Sequence, residues 1–145
     1  ELKVENILEI HRFLTKGLGI PNKIRSGRVG ITGTNYKPLS DARQIQKALQ
    51  DVCDLINFKQ NVLEKALITL LLIAYIQPFE DGNKRTARIL CNALLLANKY
   101  CPISFRTVDP DDYRYATLLF FEQNSLPSFK KMFIEQFEFS TANYF

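Results

Sequence analysis

A chain of 145 residues, 46% hydrophobic and 23% charged, has the size and balance of one globular domain around one core, residues 1–145. Its net charge of +4 is too small to argue for nucleic acid, and no basic run is interleaved with aromatics as a nucleic-acid groove requires. The three cysteines, Cys53, Cys91 and Cys101, form no CxxC pair and lie far from the sole histidine, His11, which argues against a disulfide scaffold or zinc site. They suit a reducing compartment, read here as the cytoplasm.

No segment is low in complexity, repeated or signal-like. The longest near-apolar run, Ala66 to Ile76, is too short for a bilayer, so no membrane association is expected. Met132 is the only methionine, and the sequence is therefore expected to be part of something longer.

The first helix is expected over Leu2 to Leu18, with Val4, Ile7, Leu8, Ile10, Phe13 and Leu14 building its apolar face. Gly17, Gly19 and Pro21 end it. Ile24 to Leu39 then breaks the helical pattern. It carries Gly27, Gly30, Gly33 and Pro38, with Val29 and Ile31 alternating, and reads as a short β-hairpin or extended flap. Ser40 or Asp41 caps a second helix to about Asn57, buried through Ile45, Ala48, Leu49, Val52, Leu55 and Ile56. Val62 to Gln77 is apolar nearly all round in its second half, as a helix at the centre of a bundle is. After Pro78 and a polar loop, Arg85 to Lys99 is again helical, with Ile89, Leu90, Ala93, Leu94 and Leu96 inward. Asp109 or Asp111 starts a fifth helix with Pro110 in its first turn, carrying Tyr113, Ala116, Leu119 and Phe120. Pro127 opens the last, through Phe133, Ile134 and Phe137. The expected class is all-α: a helical bundle with one hairpin.

The chemistry concentrates in Gln77-Pro78-Phe79-Glu80-Asp81-Gly82-Asn83-Lys84-Arg85-Thr86-Ala87-Arg88. A buried helix delivers the chain to a tight turn. Gly82 admits backbone conformations closed to other residues and lets a ligand approach. The turn feeds a helix start, whose unpaired N–H groups and dipole favour an anion. Lys84, Arg85 and Arg88 add positive charge, and the two arginines share a helical face. Asp81 is a hard oxygen ligand beside that site, suited to Mg²⁺ bridging phosphates. These features describe a nucleotide-phosphate site. The alternative is a capped helix start with a solvated charge cluster.

The stretch resembles the Fic signature HxFx[DE]GN[GK]RxxR at Phe79, Asp81, Gly82, Asn83, Lys84, Arg85 and Arg88, departing only at its first position. Ile24 to Pro38 looks like the family's flap, and the similarity extends over nearly the whole chain. The resemblance implies a Fic-like bundle that binds ATP and Mg²⁺ and is related to enzymes moving AMP onto a Ser, Thr or Tyr hydroxyl of a target protein. By that resemblance Asp81 holds the metal between the α- and β-phosphates. The backbone at Gly82, Asn83 and Lys84 forms an anion hole, and the Asn83 side chain also meets phosphate oxygens. Arg85 takes the β- or γ-phosphate and Arg88 the γ-phosphate, while Phe79 anchors the loop in the core. The flap, roughly Val29 to Lys37 with Ile31, Thr32, Gly33 and Thr34 at its centre, docks an extended segment of the target.

Two departures qualify this. Gln77 stands where the family has histidine as general base, and an amide cannot accept the hydroxyl proton. Transferase activity is therefore expected to be weak or absent. Lys84 occurs in the Doc-type branch, which transfers the γ-phosphoryl group, so a phosphotransferase is one alternative. A non-enzymatic interaction module on the same fold is the other. The family's inhibitory helix, [ST]xxxE[GN], has no match here, so inhibition is either absent or, the expectation favoured here, supplied by a segment or partner outside this chain. His11 is expected to serve the surface or helix packing rather than to replace the missing base.

Overall fold

The computed structural model describes residues 1–144. Six helices follow in chain order: α1 (Val4–Leu14), α2 (Ala42–Phe58), α3 (Val62–Ile76), α4 (Asn83–Ala97), α5 (Pro110–Gln123) and α6 (Pro127–Tyr144). There is no strand among the described residues, and none of the described helices is long and apolar enough to cross a membrane.

Helix ends follow their local chemistry. Asp41 accepts from the Arg43 and Gln44 amides to start α2, Asn61 from Glu64 to start α3, and Asp109 from Asp111 and Asp112 to start α5. The helix α1 stops a turn earlier than its pattern predicts. There the Thr15 hydroxyl donates to the His11 carbonyl and also bonds the Asn22 side-chain amide. The face of α1 also differs: Val4, Ile7 and His11 are buried, while Phe13 is 73% exposed.

The helix α3 is the centre of the bundle. It packs most extensively on α4, then on α2, and α1 closes over α4. Leu67, Leu70, Leu71, Ile73 and Ile76 are buried along it, as expected for a helix apolar on every side. The helix α4 starts two residues before the position expected from pattern and turns a different stripe inward. Leu90, Cys91 and Leu95 are buried, whereas Ile89 is 40% and Leu96 is 55% exposed. Its second half is apolar in almost every direction, so periodicity alone cannot choose the face. The buried Asn83, Thr86 and Ala87 of its first turns set the register. Similarly, on α6 Phe129 and Phe133 are buried and Ile134 is partly out.

All three cysteines are free and buried. Burial pushes the Cys91 thiol up to about 12, the behaviour of a core thiol.

The hairpin expected over Ile24 to Leu39 does not form: the segment has a turn at residues 32–33 and no strand. A hairpin needs a ladder of backbone bonds across its turn, and no backbone–backbone bond joins two residues of this segment. The Tyr36 hydroxyl donates to the Tyr75 carbonyl at 2.6 Å, and its ring stacks on Tyr75 with centroids 4.5 Å apart. That interaction ties Tyr36 to the end of α3.

Candidate functional site

The junction between α3 and α4 is built from its backbone outward. Gln77 ends α3 in the left-handed region (φ 53°), and Gly82 begins α4 in the same region (φ 83°). A side chain at 82 would meet Thr15 Cγ2 at 3.2 Å and the His11 ring at 3.4 Å, so glycine serves both the torsion and the packing.

The loop between them is held from several sides. Asn83 Oδ1 accepts from the Phe79 amide and Nδ2 donates to the Phe79 carbonyl, both at 2.8 Å. Phe79 is fully buried and stacks on His11, centroids 3.7 Å apart and 11° from parallel. His11 Nε2 donates to the Asp81 carbonyl at 2.9 Å. The carbonyl has no proton to give, so this bond sets the ring tautomer. His11 is thus a packing residue, as expected, but a buried one beneath the loop.

Arg25 supports the other end. It is 1% exposed, and its guanidinium donates to the carbonyls of Gln77 (2.5 Å), Ile76 (3.1 Å) and Gly27 (2.6 Å). Its own amide donates to the Pro78 carbonyl at 3.0 Å. A cation at a helix C-terminus meets both the unpaired carbonyls and the negative end of the dipole. Burial holds its pKa down. Sequence reading had no local signal for Arg25, because its partners are carbonyls far along the chain.

The helix α4 lacks the cap that α2, α3 and α5 have: Gly82 offers no side-chain acceptor. The first bond into the helix runs from the Thr86 amide to the Gly82 carbonyl, leaving the amides of residues 83–85 outside the helical ladder.

Beside this helix start lies a cavity of about 640 Å³ between α3, α4, α5 and the flap. Gln77, Lys84, Arg88 and Ile31 all line it; Asp81 and Arg85, both exposed, do not. Its inner wall is apolar, with Leu70, Leu71, Phe121 and Phe129. Lys84 Nζ sits 4.8 Å from the centre of the Tyr113 ring, and the Arg88 guanidinium 4.8 Å from the same ring and 5.5 Å from Phe105. Arg88 Nε is buried without a hydrogen-bond partner. Desolvation, then the charges of Arg88 and Arg114, lower the Lys84 pKa. Burial raises that of Tyr113 against the opposing pull of Arg88.

The side chains of two predicted residues are already engaged. Both ends of the Asn83 amide serve the loop, its Nδ2 also reaching Gln77 Oε1 at 3.2 Å. Gln77 Nε2 donates to the Ala74 carbonyl at 2.6 Å. The Gln77 amide is therefore bonded at both its oxygen and its nitrogen.

At the flap, Thr34 Oγ1 donates to Glu122 Oε1 at 2.6 Å, and Arg114 donates to the Thr32 carbonyl. Glu122 and Arg114 were not singled out in the sequence. Both reach from α5 to a segment some eighty residues earlier, a pairing no local pattern encodes.

As for a metal, no group of three or more His, Cys, Asp or Glu among the described residues could hold one. Asp81 is a lone exposed carboxylate, with Oδ1 accepting from the Gly82 amide at 2.7 Å. That fits a Mg²⁺ ion taking most of its ligands from phosphate and water, and does not fit a resident metal centre.

The model of the Fic/DOC family matches residues 1–95, from α1 through most of α4. The chain belongs to the Fic/DOC family. Among curated proteins it is 27% identical over 151 residues to protein adenylyltransferase fic-1 of Caenorhabditis elegans, covering 99% of this chain and 29% of that protein. It is 30% identical over 119 residues to protein adenylyltransferase Fic of Nematostella vectensis, covering 77% of this chain and 27% of that one. The chain thus spans under a third of these relatives' length. A crystal structure of a Fic family protein from Desulfovibrio desulfuricans superposes with a TM-score of 0.81 at 24% identity, over 94% of this chain and 45% of that chain. These likenesses establish an all-α Fic fold.

Proposed function

We propose that this Fic domain binds the oligophosphate of ATP at the start of α4, and that Gln77 leaves it weak or inactive in moving AMP to a protein hydroxyl. The observation that carries this reading is the uncapped α4 N-terminus beside a cavity that Lys84 and Arg88 line, neither of them ion-paired with a carboxylate among the described residues. Backbone amides, helix dipole and two cations held in place suit charge on phosphate. Among similar folds, BepC of Bartonella tribocorum was crystallised with bound AMPPNP; it superposes with a TM-score of 0.73 at 17% identity, over 90% of this chain and 72% of that one.

In this reading the amides of Asn83 and Lys84 face the phosphates, joined by that of Gly82 once it gives up its bond to Asp81 Oδ1, and Arg85 and Arg88 take the outer ones. The Asn83 side chain shapes the loop, as its bonds to Phe79 suggest. Asp81 would hold Mg²⁺, which supplies charge neutralisation along the phosphate chain. The flap around Ile31, Thr32, Gly33 and Thr34 has no strand partner in the fold, which leaves it able to pair with an extended target segment bearing a Ser, Thr or Tyr hydroxyl. Gln77 can orient that hydroxyl but cannot take its proton. Inhibition, if the whole protein has it, comes from outside this chain, and the buried free thiols suit the cytoplasm.

The test is calorimetry with ATP and Mg²⁺ beside label transfer. Wild type is expected to bind and scarcely transfer. Gln77→His is expected to raise transfer roughly 10²–10⁴-fold, the range of general-base catalysis. Absence of ATP binding sinks the reading and favours an interaction module. Added phosphoryl in place of AMP on the product favours the Doc-type orientation that Lys84 allows.

A further inference from the structure

The positive charge around the cavity does not all come from the α3–α4 junction. Arg114, on α5, lines it as well. Its guanidinium donates to the Thr32 carbonyl, and the flap comes so close that a Cβ at Gly33 would run into that guanidinium. A carbonyl is a neutral acceptor and occupies one of five guanidinium donors, which leaves most of the group's capacity free. No carboxylate among the described residues forms an ion pair with Lys84, Arg88 or Arg114, and Asp111, the one acidic residue of the lining, is itself unpaired. Lys84 feels the charges of both Arg88 and Arg114. Three like charges gathered at a cavity whose lining holds one carboxylate, Asp111, are left with net positive charge for an anion to neutralise. The buried Arg88 Nε adds a donor with no protein partner.

We propose that Arg114 is a shared clamp: it holds the flap through Thr32 while its remaining donors join Lys84 and Arg88 on the phosphates of the nucleotide, so that filling the cavity tightens the flap. This rests on the nucleotide reading above and assigns a positioning role to a residue outside the family signature. Linkage makes the coupling reciprocal: a peptide seated on the flap tightens nucleotide binding by the same factor.

Hydrogen exchange of residues 28–37, measured with and without ATP and Mg²⁺ beside calorimetry, tests it. In wild type, ATP is expected to slow exchange across the flap by about tenfold, within the usual range of coupling. Arg114→Ala is expected to weaken ATP about tenfold and to abolish the slowing. Gly33→Ala keeps the charge but sets a Cβ against the guanidinium and strains the backbone at φ 84°, so the contact to Thr32 is lost. It is expected to hold ATP affinity within about twofold while losing the flap protection. Wild-type affinity in Arg114→Ala, or full protection in Gly33→Ala, overturns the clamp alone. No ATP binding by wild type removes the nucleotide reading and the clamp together, and so is told apart.

Discussion

The α3–α4 loop and the flap flank the same cavity, which Gln77, Lys84 and Ile31 line, and are held in opposite ways. In the loop, the carbonyls of Ile76, Gln77, Pro78, Phe79 and Asp81 each have a protein donor, from Arg25, Asn83 or His11. In the flap, the tethers named are a few side-chain bonds from α5 and one from Tyr36. A buried polar group without a partner costs more than an exposed one, so the loop must be fully satisfied and the flap need not be. The difference suits a division of labour: a rigid cradle for a ligand of fixed geometry, and an adaptable edge for a partner.

The strongest way to break that contrast is Arg25→Met. It leaves the carbonyls of Ile76, Gln77 and Gly27 without their donor, and the expected loss is about 3 kcal/mol or more in urea unfolding. Arg25→Lys is expected to recover only part of this, because an ammonium cannot span the same fork of acceptors. A loss under about 1 kcal/mol for Arg25→Met would show that the loop draws its rigidity from elsewhere.

Two substitutions at His11 separate stacking from hydrogen bonding. His11→Ala removes a buried ring and is expected to cost about 3 kcal/mol. His11→Phe keeps the stack on Phe79 and loses only the bond to the Asp81 carbonyl, for about 1 kcal/mol. Equal losses by thermal unfolding would count against a specific role for that bond.

Gly82→Ala forces a Cβ into the left-handed region against Thr15 and His11. About 1–2 kcal/mol is expected, with ATP affinity falling alongside as the amides after it are displaced. The smallest effect belongs to the flap. Thr34→Val removes the bond to Glu122 on the surface and is expected to change stability by less than about 0.5 kcal/mol. Yet it is expected to speed hydrogen exchange at residues 32–36. A stability loss like that of the loop variants would erase the distinction between the regions.

Family and helix count were legible along the chain because each depends on neighbours. Asp41, Asn61 and Asp109 cap the amides just after them, Pro110 and Pro127 open helices, and the turn at Gly82 is written in six consecutive residues. The inward face of α4 was not legible, since Ile89, Leu90, Leu94, Leu95 and Leu96 leave the stripe ambiguous until Asn83 fixes the rotation. Nor was the course of the flap, which Tyr36 decides by reaching Tyr75.

By itself, the sequence determined that a buried helix, ending at the amide of Gln77, would turn through a glycine into a cationic helix start. Tertiary structure alone decided what holds that turn and the flap: His11 from 70 residues away and Arg25 from 52 at the turn, and Arg114 reaching 82 residues back to the flap. Caps and turns are bonds between near neighbours and leave a local trace. A buried cation satisfied by distant carbonyls leaves none, because every residue carries a carbonyl and only the fold selects which ones it meets.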